Sequence, residues 1–330
     1  MREATFFAVL AFALACTSPH TSGGPGAAGG ATGSGGATAG GQGGHDAGAG
    51  GLAATGGSGG DSGRAGATDA RVDAPGDRAG DRAAGDATSG GGACKRGIAT
   101  NTAPGAAFSP SVGWWYDWSP RVAGAGSPLE FDPMIWGAMD LTATLPPVTH
   151  YLLGFNEPNF HAQSNLTAQQ AAADWPMLEA KAGASGAALV SPAVNFCGPA
   201  TSCNGTSPYQ YLRDFFAACA GCRVDHIAVH WYNCDLPSLM DYLEPGGSLE
   251  GFEQFGKPIW LTEFSCDGTK TAADQEAFMR AAIPYLEGNP HVFRYSWFSA
   301  DPIPSARLMN SDGSPTALGQ VYIGLPGGCH

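Results

Sequence analysis

From Arg96 onward, apolar runs of strand length recur eight times along the chain, at residues 96–101, 112–118, 131–136, 151–156, 188–195, 226–232, 258–264 and 292–298. Between the later runs lie stretches with helical spacing. Thr167 heads a capping box with Gln170, Ser207 precedes Pro208 as an N-cap, a broken helical region covers residues 239–255, and Thr271 opens a helix to about Leu286. Strands that alternate with helices predict a parallel sheet, because each parallel pair needs a crossover and the helices cover the faces. Eight such units predict an α/β fold, a (β/α)8 TIM-type barrel, with short or missing helices in the first three units.

Composition sets the limits of that domain. Residues 17–93 are rich in Gly, Ala, Ser, Thr and Asp and hold almost no large apolar side chain. Such a stretch cannot bury enough surface to offset its chain entropy, so it is expected to be a disordered, flexible linker in front of a barrel at residues 94–330. Residues 1–16 carry a short apolar core that ends in Leu14-Ala15-Cys16. That pattern predicts an export signal, too short to span a bilayer, with Cys16 placed as the lipidated cysteine of a bacterial lipoprotein. Ordinary signal cleavage is the alternative. The expected location is extracellular or anchored at the outer membrane.

Within residues 94–330, 11 Lys and Arg face 21 Asp and Glu, with no basic stripe. Nucleic acid and anionic membranes are therefore poor partners, and a neutral substrate fits better. Eight cysteines lie in this part, an even number that suits disulfides in an exported chain. Position suggests Cys94 with Cys329, Cys197 with Cys203, and Cys219 with Cys222, which leaves Cys234 for Cys266. A monomer is expected.

Chemistry concentrates at the ends of two runs. Tyr151-Leu152-Leu153-Gly154-Phe155 leads into Asn156-Glu157-Pro158-Asn159. Pro158 ends the strand and biases Glu157 toward an extended backbone, which would fix its carboxylate at the strand's C-terminal lip. Glu263 ends the seventh run in the same way. In a closed barrel both would reach across one mouth, where α/β barrels place their chemistry. Two facing carboxylates are what glycoside hydrolysis requires, one protonated to donate and one ionised to attack or to activate water. The bland alternative pairs each with a neighbouring Arg or Lys. No cluster of His, Asp and Glu has metal-ligand spacing in the sequence, so neither a metal nor another cofactor is expected.

Four motifs, Gly-Phe-Asn-Glu-Pro-Asn at 154–159, His-Trp-Tyr at 230–232, Trp-Leu-Thr-Glu-Phe at 260–264 and Tyr-Ser-Trp-Phe at 295–298, fall in the order and rough spacing of one group. Together they resemble glycoside hydrolase family 128, whose characterised members are β-1,3-glucanases, over about residues 96–322. The resemblance implies a retaining mechanism, with Glu157 as general acid/base, Glu263 as nucleophile and Asn156 on the sugar 2-hydroxyl. Trp297 resembles the platform tryptophan beneath the sugar.

Tyr232, at the end of the sixth run, either hydrogen-bonds Glu263 and keeps it ionised or is a rim aromatic with a solvated hydroxyl. His230 either orients a hydroxyl or satisfies a backbone carbonyl. Asn195 and Asn233 end neighbouring strands and are candidates for binding hydroxyls. Trp114, Trp115, Tyr116 and Trp118 are candidate glucan subsites, with about half of that run expected to face inward as packing. The Asn233-Cys234 pair and the 197–203 loop depart from the family pattern near the mouth, which bears on substrate preference. The expected partner is a β-glucan. A carbohydrate-binding surface protein without turnover, or the same chemistry on another β-glucan or a β-mannan, are the competing readings.

Overall fold

The computed structural model describes residues 94–121 and 126–329; the expected leader, the lipid anchor at Cys16 and the linker up to residue 93 lie outside the described residues. Eight parallel strands are present: β1 (Arg96–Ala99), β2 (Trp114–Tyr116), β3 (Glu130–Phe131), β4 (Tyr151–Leu153), β5 (Ala188–Val194), β6 (His226–Trp231), β7 (Ile259–Phe264) and β8 (Val292–Phe298). Their order is β3-β2-β1-β8-β7-β6-β5-β4, with β1 and β8 in register from Arg96 opposite Tyr295. A bridge between Met134 and Leu153 closes the ring. The Leu153 N–H donates to the Pro133 carbonyl at 2.9 Å and the Ile135 N–H to the Leu153 carbonyl at 3.0 Å. The sheet is thus a (β/α)8 barrel.

The third run was expected over 131–136 and shrinks to two residues, because Asp132-Pro133 interrupts it and Pro133 has no N–H for a ladder. Helices follow only the later strands: α1 (Ala168–Ser185), α2 (Pro208–Ala218), α3 (Leu236–Leu243) and α4 (Ala272–Gly288). The first three units have single 3-10 turns at most, as expected. The capping box of Thr167 and Gln170 is formed, and Ser207 caps α2 with Pro208 at the first position. Pro176 lies inside α1 without ending it. A fifth helix, α5 (Ala317–Gly324), capped by Thr316, was not foreseen.

Apolar side chains divide between two layers. Trp114, Tyr116, Met134, Leu153, Val190, Ala193, Ala228 and Trp260 fill the barrel, and a larger cluster packs between barrel and helices. At the N-terminal ends of the strands the filling is polar as well. Arg294 reaches Asp132 and Glu130 at 2.7 Å each and lies over the Tyr151 and Trp260 rings. The charge is buried but paired on two sides and stacked. This closes the bottom of the barrel and leaves the C-terminal mouth for function. All four expected disulfides are present: Cys94–Cys329, Cys197–Cys203, Cys219–Cys222 and Cys234–Cys266.

Candidate active site

Glu157 is delivered to the mouth by the segment that follows β4. Gly154 makes this possible, since a Cβ there would lie 2.9 Å from the Ser191 and Val190 carbonyl oxygens. Asn156 then pairs with Ala193, and its N–H donates to the Trp136 carbonyl at 2.9 Å. Here one expectation fails. Glu157 is not extended but has φ +38°, in the left-handed region. The preference imposed by Pro158 is overridden by a turn in which the Phe160 N–H donates to the Glu157 carbonyl at 2.9 Å. Holding a glutamate there costs on the order of 1–3 kcal/mol. The turn is anchored from the far side by Asn159, which is fully buried and donates to the carbonyls of Asn195 (2.8 Å) and Gly205 (3.1 Å).

Glu263 reaches the same mouth by an irregularity in β7. Ile259 and Leu261 point outward into the helix-facing layer, so simple alternation would turn Glu263 outward too. The register shows one extra residue on β7: Val229 and His230 of β6 face Leu261 and Glu263, and Tyr295 and Trp297 of β8 face Leu261 and Phe264. This bulge at Thr262 reverses the alternation and points Glu263 into the barrel.

The two carboxylates meet around His230. Its Nδ1 lies 2.9 Å from Glu157 Oε1 and 3.3 Å from Glu263 Oε2, and the ring is fully buried. One atom from each of Glu157, His230 and Glu263 lies within 4.8 Å of the other two. Glu263 Oε1 accepts the Trp118 Nε1–H at 2.6 Å and the Tyr116 hydroxyl at 3.1 Å, while Oε2 accepts the Tyr232 hydroxyl. Asn156 donates through Nδ2 to Gln163 at 3.3 Å, and its Oδ1 is buried without a partner among the described residues.

Electrostatics follow from this crowding. Burial raises the Glu263 carboxyl above the ordinary glutamate value; His230 pulls it down, Glu157 pushes it up, and the Tyr232 and Trp118 donors oppose the rise. Burial disfavours the His230 cation, but the charges of Glu263 and Glu157 outweigh it and raise the imidazole. A buried carboxylate and imidazole at this distance share protons as a unit. Burial first, and then Glu263, push the Tyr116 and Tyr232 hydroxyls well above their usual range, so both remain protonated donors.

Not every expected residue is here. Trp297 is fully buried on the outer face of β8, with its N–H on the Ala306 carbonyl at 2.9 Å and its ring against Phe264 and Tyr322; it cannot be a sugar platform. Trp115 also faces outward, buried against Phe131. Asn195 is at the end of β5, but its side-chain oxygen accepts the Phe196 N–H at 2.8 Å, and no hydrogen bond joins it to either carboxylate. The fold also brings together one donor group that sequence spacing does not show. Glu157, His230 and Glu263 could each offer a ligand atom, but they come from separate strands, so their sequence spacing could not reveal it. Tyr116 and Trp118, expected as sugar-binding aromatics, instead hold Glu263. Only their inward alternation on and after β2 hinted at that.

Comparison with known proteins identifies the family. The family described as "Glycosyl hydrolase catalytic core" matches residues 97–322. Alkali-sensitive linkage protein 1 of Schizosaccharomyces pombe is 31% identical over 231 residues, a match that spans 64% of this chain but only 40% of that protein. A family 128 subgroup II endo-β-1,3-glucanase from Sorangium cellulosum superposes with a TM-score of 0.62 at 40% identity, covering 71% of this chain and 99% of that one. A subgroup I endo-β-1,3-glucanase from Amycolatopsis mediterranei, solved with laminaritriose, gives 0.57 at 29% identity, covering 70% and 98%. A subgroup III curdlan-specific exo-β-1,3-glucanase from Blastomyces gilchristii, solved with glucose, gives 0.55 at 28% identity with the same coverages. The chain belongs to the glycosyl hydrolase catalytic-core family, within glycoside hydrolase family 128.

Proposed function

We propose that the protein is an exported retaining glycoside hydrolase that cleaves β-1,3-glucan by double displacement. The observation that carries this reading is that one carboxylate oxygen of Glu157 and one of Glu263 come within 4.8 Å of each other around His230, which favours the closer of two spacings. Inverting enzymes hold their carboxyl groups about 6.5–9.5 Å apart to admit a water, whereas retaining enzymes hold them about 5–5.5 Å apart. Glu157, protonated, gives its proton to the glycosidic oxygen as that bond breaks. Glu263, ionised, forms the new bond to the anomeric carbon. Glu157 then takes a proton from water, the water attacks the same carbon, and Glu263 leaves as the carboxylate.

The remaining groups have roles in this sequence. His230 orients the Glu157 carboxyl through Nδ1. Tyr232 holds Glu263 in position. The unpartnered Oδ1 of Asn156 is available to accept the sugar 2-hydroxyl. The relatives solved with laminaritriose and with glucose support a β-glucan substrate. Four disulfides favour an oxidising location outside the cytoplasm, consistent with an export leader and a lipid anchor at Cys16.

Release of reducing sugar from laminarin tests the assignment. The wild-type protein should release it, and Glu157→Gln and Glu263→Gln should each lose at least about a thousandfold in kcat. Binding of laminarin without release by the wild type would favour the carbohydrate-binding reading. Equal release by all three proteins would refute the site.

A further inference from the structure

Trp118 is one of three non-glycine residues with positive φ among those described, at +60°, and for a bulky side chain that backbone is an outlier. The surroundings impose it from both sides. The Thr100 N–H holds the Tyr116 carbonyl at 3.0 Å, just before it. Across it, Asp117 Oδ1 accepts the N–H (3.2 Å) and hydroxyl (2.7 Å) of Ser119, and after it the Ser119 carbonyl accepts the Met134 N–H at 3.0 Å. The indole itself is wedged between the rings of Tyr116 at 5.3 Å and Phe298 at 5.6 Å, and Phe298 in turn meets Tyr232. The result is a single aimed contact, the indole N–H on Glu263 Oε1 at 2.6 Å.

Among the groups around Glu263, this donor differs in kind. The Tyr116 hydroxyl lies 3.1 Å from both Glu263 and the Thr262 carbonyl, so its one proton can turn away. The imidazole of His230 is shared with Glu157. An indole N–H only donates and does not titrate in water, and here the ring is packed between Tyr116 and Phe298. We propose that Trp118 is a positioning residue for the nucleophile, its strained backbone locking an obligate donor onto Glu263 so that the carboxylate stays aimed and ionised. This rests on the reading of Glu263 as nucleophile. The donor serves both displacement steps in different ways: it keeps Glu263 aimed and ionised for attack, and it stabilises the carboxylate charge that re-forms as Glu263 leaves.

The test replaces Trp118 by phenylalanine and, separately, by benzothienylalanine, which keeps the fused ring but puts sulfur in place of the N–H. kcat and KM on laminarin are measured as a function of pH, with thermal unfolding as a check on the fold. In the isosteric variant, the acid limb of kcat/KM should move up by about one pH unit and kcat below that limb should fall roughly tenfold, with KM nearly unchanged. The loss should shrink as pH rises, where Glu263 ionises without help. Trp118→Phe should show the same shift if it folds; the isostere decides if it does not. An unmoved acid limb, or a loss confined to KM, would make Trp118 a packing or sugar-contact ring and overturn the proposal. Wild-type turnover by Glu263→Gln would refute the nucleophile assignment itself, whereas an inactive Glu263→Gln beside an unmoved limb refutes only the role of Trp118.

Discussion

Glu263 is a carboxylate balanced between opposing influences. Burial and Glu157 push it toward neutrality, while His230, Tyr232 and Trp118 keep it charged. Since its net shift is upward and attack needs the ionised form, activity should fall away on acidification at a pH above the ordinary glutamate range. A pH profile of kcat/KM whose acid limb lies at or below that range would contradict this balance. Tyr232→Phe removes a donor to Glu263 Oε2 and leaves the ring against Phe298. Its kcat should drop roughly 10- to 100-fold with KM little changed, as expected for a hydrogen bond to a charged group that counts most in the transition state. A pure KM effect in steady-state kinetics would move Tyr232 from the carboxylate to the sugar.

At the scale of elements, two local departures assemble the site: the left-handed turn at Glu157 and the bulge at Thr262. Close packing of β4 on β5 supports the first. Gly154→Ala would drive a Cβ to 2.9 Å from two backbone carbonyls, so urea unfolding should show a loss of about 1–3 kcal/mol; an unchanged midpoint would mean that the strands separate at no cost. These departures mark the boundary of what residues 94–329 declare in one dimension. Apolar runs of strand length and capped helices follow from local periodicity, and so do the two glutamates at strand ends. The bulge does not, because Ile259, Leu261 and Glu263 alternate as if all three faced one way. The expectation of Trp297 at the mouth rests on its resemblance to the family's platform tryptophan, whereas β8 turns Arg294 and Ser296 inward and Trp297 out. The convergence of Tyr116 and Trp118 on Glu263 depends on the strand order β2-β1-β8-β7 and on the left-handed backbone at Trp118, which no local pattern encodes.

Across the whole molecule, the two ends of the barrel do different work. The mouth stores strain and shared protons, and the base is a packed plug around Arg294. His226 belongs to that plug, against Tyr151, Trp260 and Phe293. Burial, aided by Arg294 and Lys257 against Asp225, pushes its pKa down to about 4. The folded state therefore holds it neutral, and the stability it confers is complete above its unfolded pKa of about 6.5. That stability is lost as pH falls toward 4, by about 3 kcal/mol in all. Denaturant unfolding across that window should show the slope, and His226→Phe should flatten it; the same slope in both proteins would put the acid sensitivity elsewhere. The Cys94–Cys329 bond spans 235 positions and joins the strand that starts the barrel to the segment after α5. Replacing both cysteines by serine should cost about 2–5 kcal/mol in the same assay, and no change would mean that the ends are held by Arg96 and its partners alone.

The pairing of Glu157 with Glu263 is tested most directly by proton NMR of laminarin during the first moments of hydrolysis. A retaining pair predicts that the new reducing end appears as the β-anomer, with the α-anomer growing in only by mutarotation. An α-anomer formed first would mean that a water, and not Glu263, attacks the anomeric carbon.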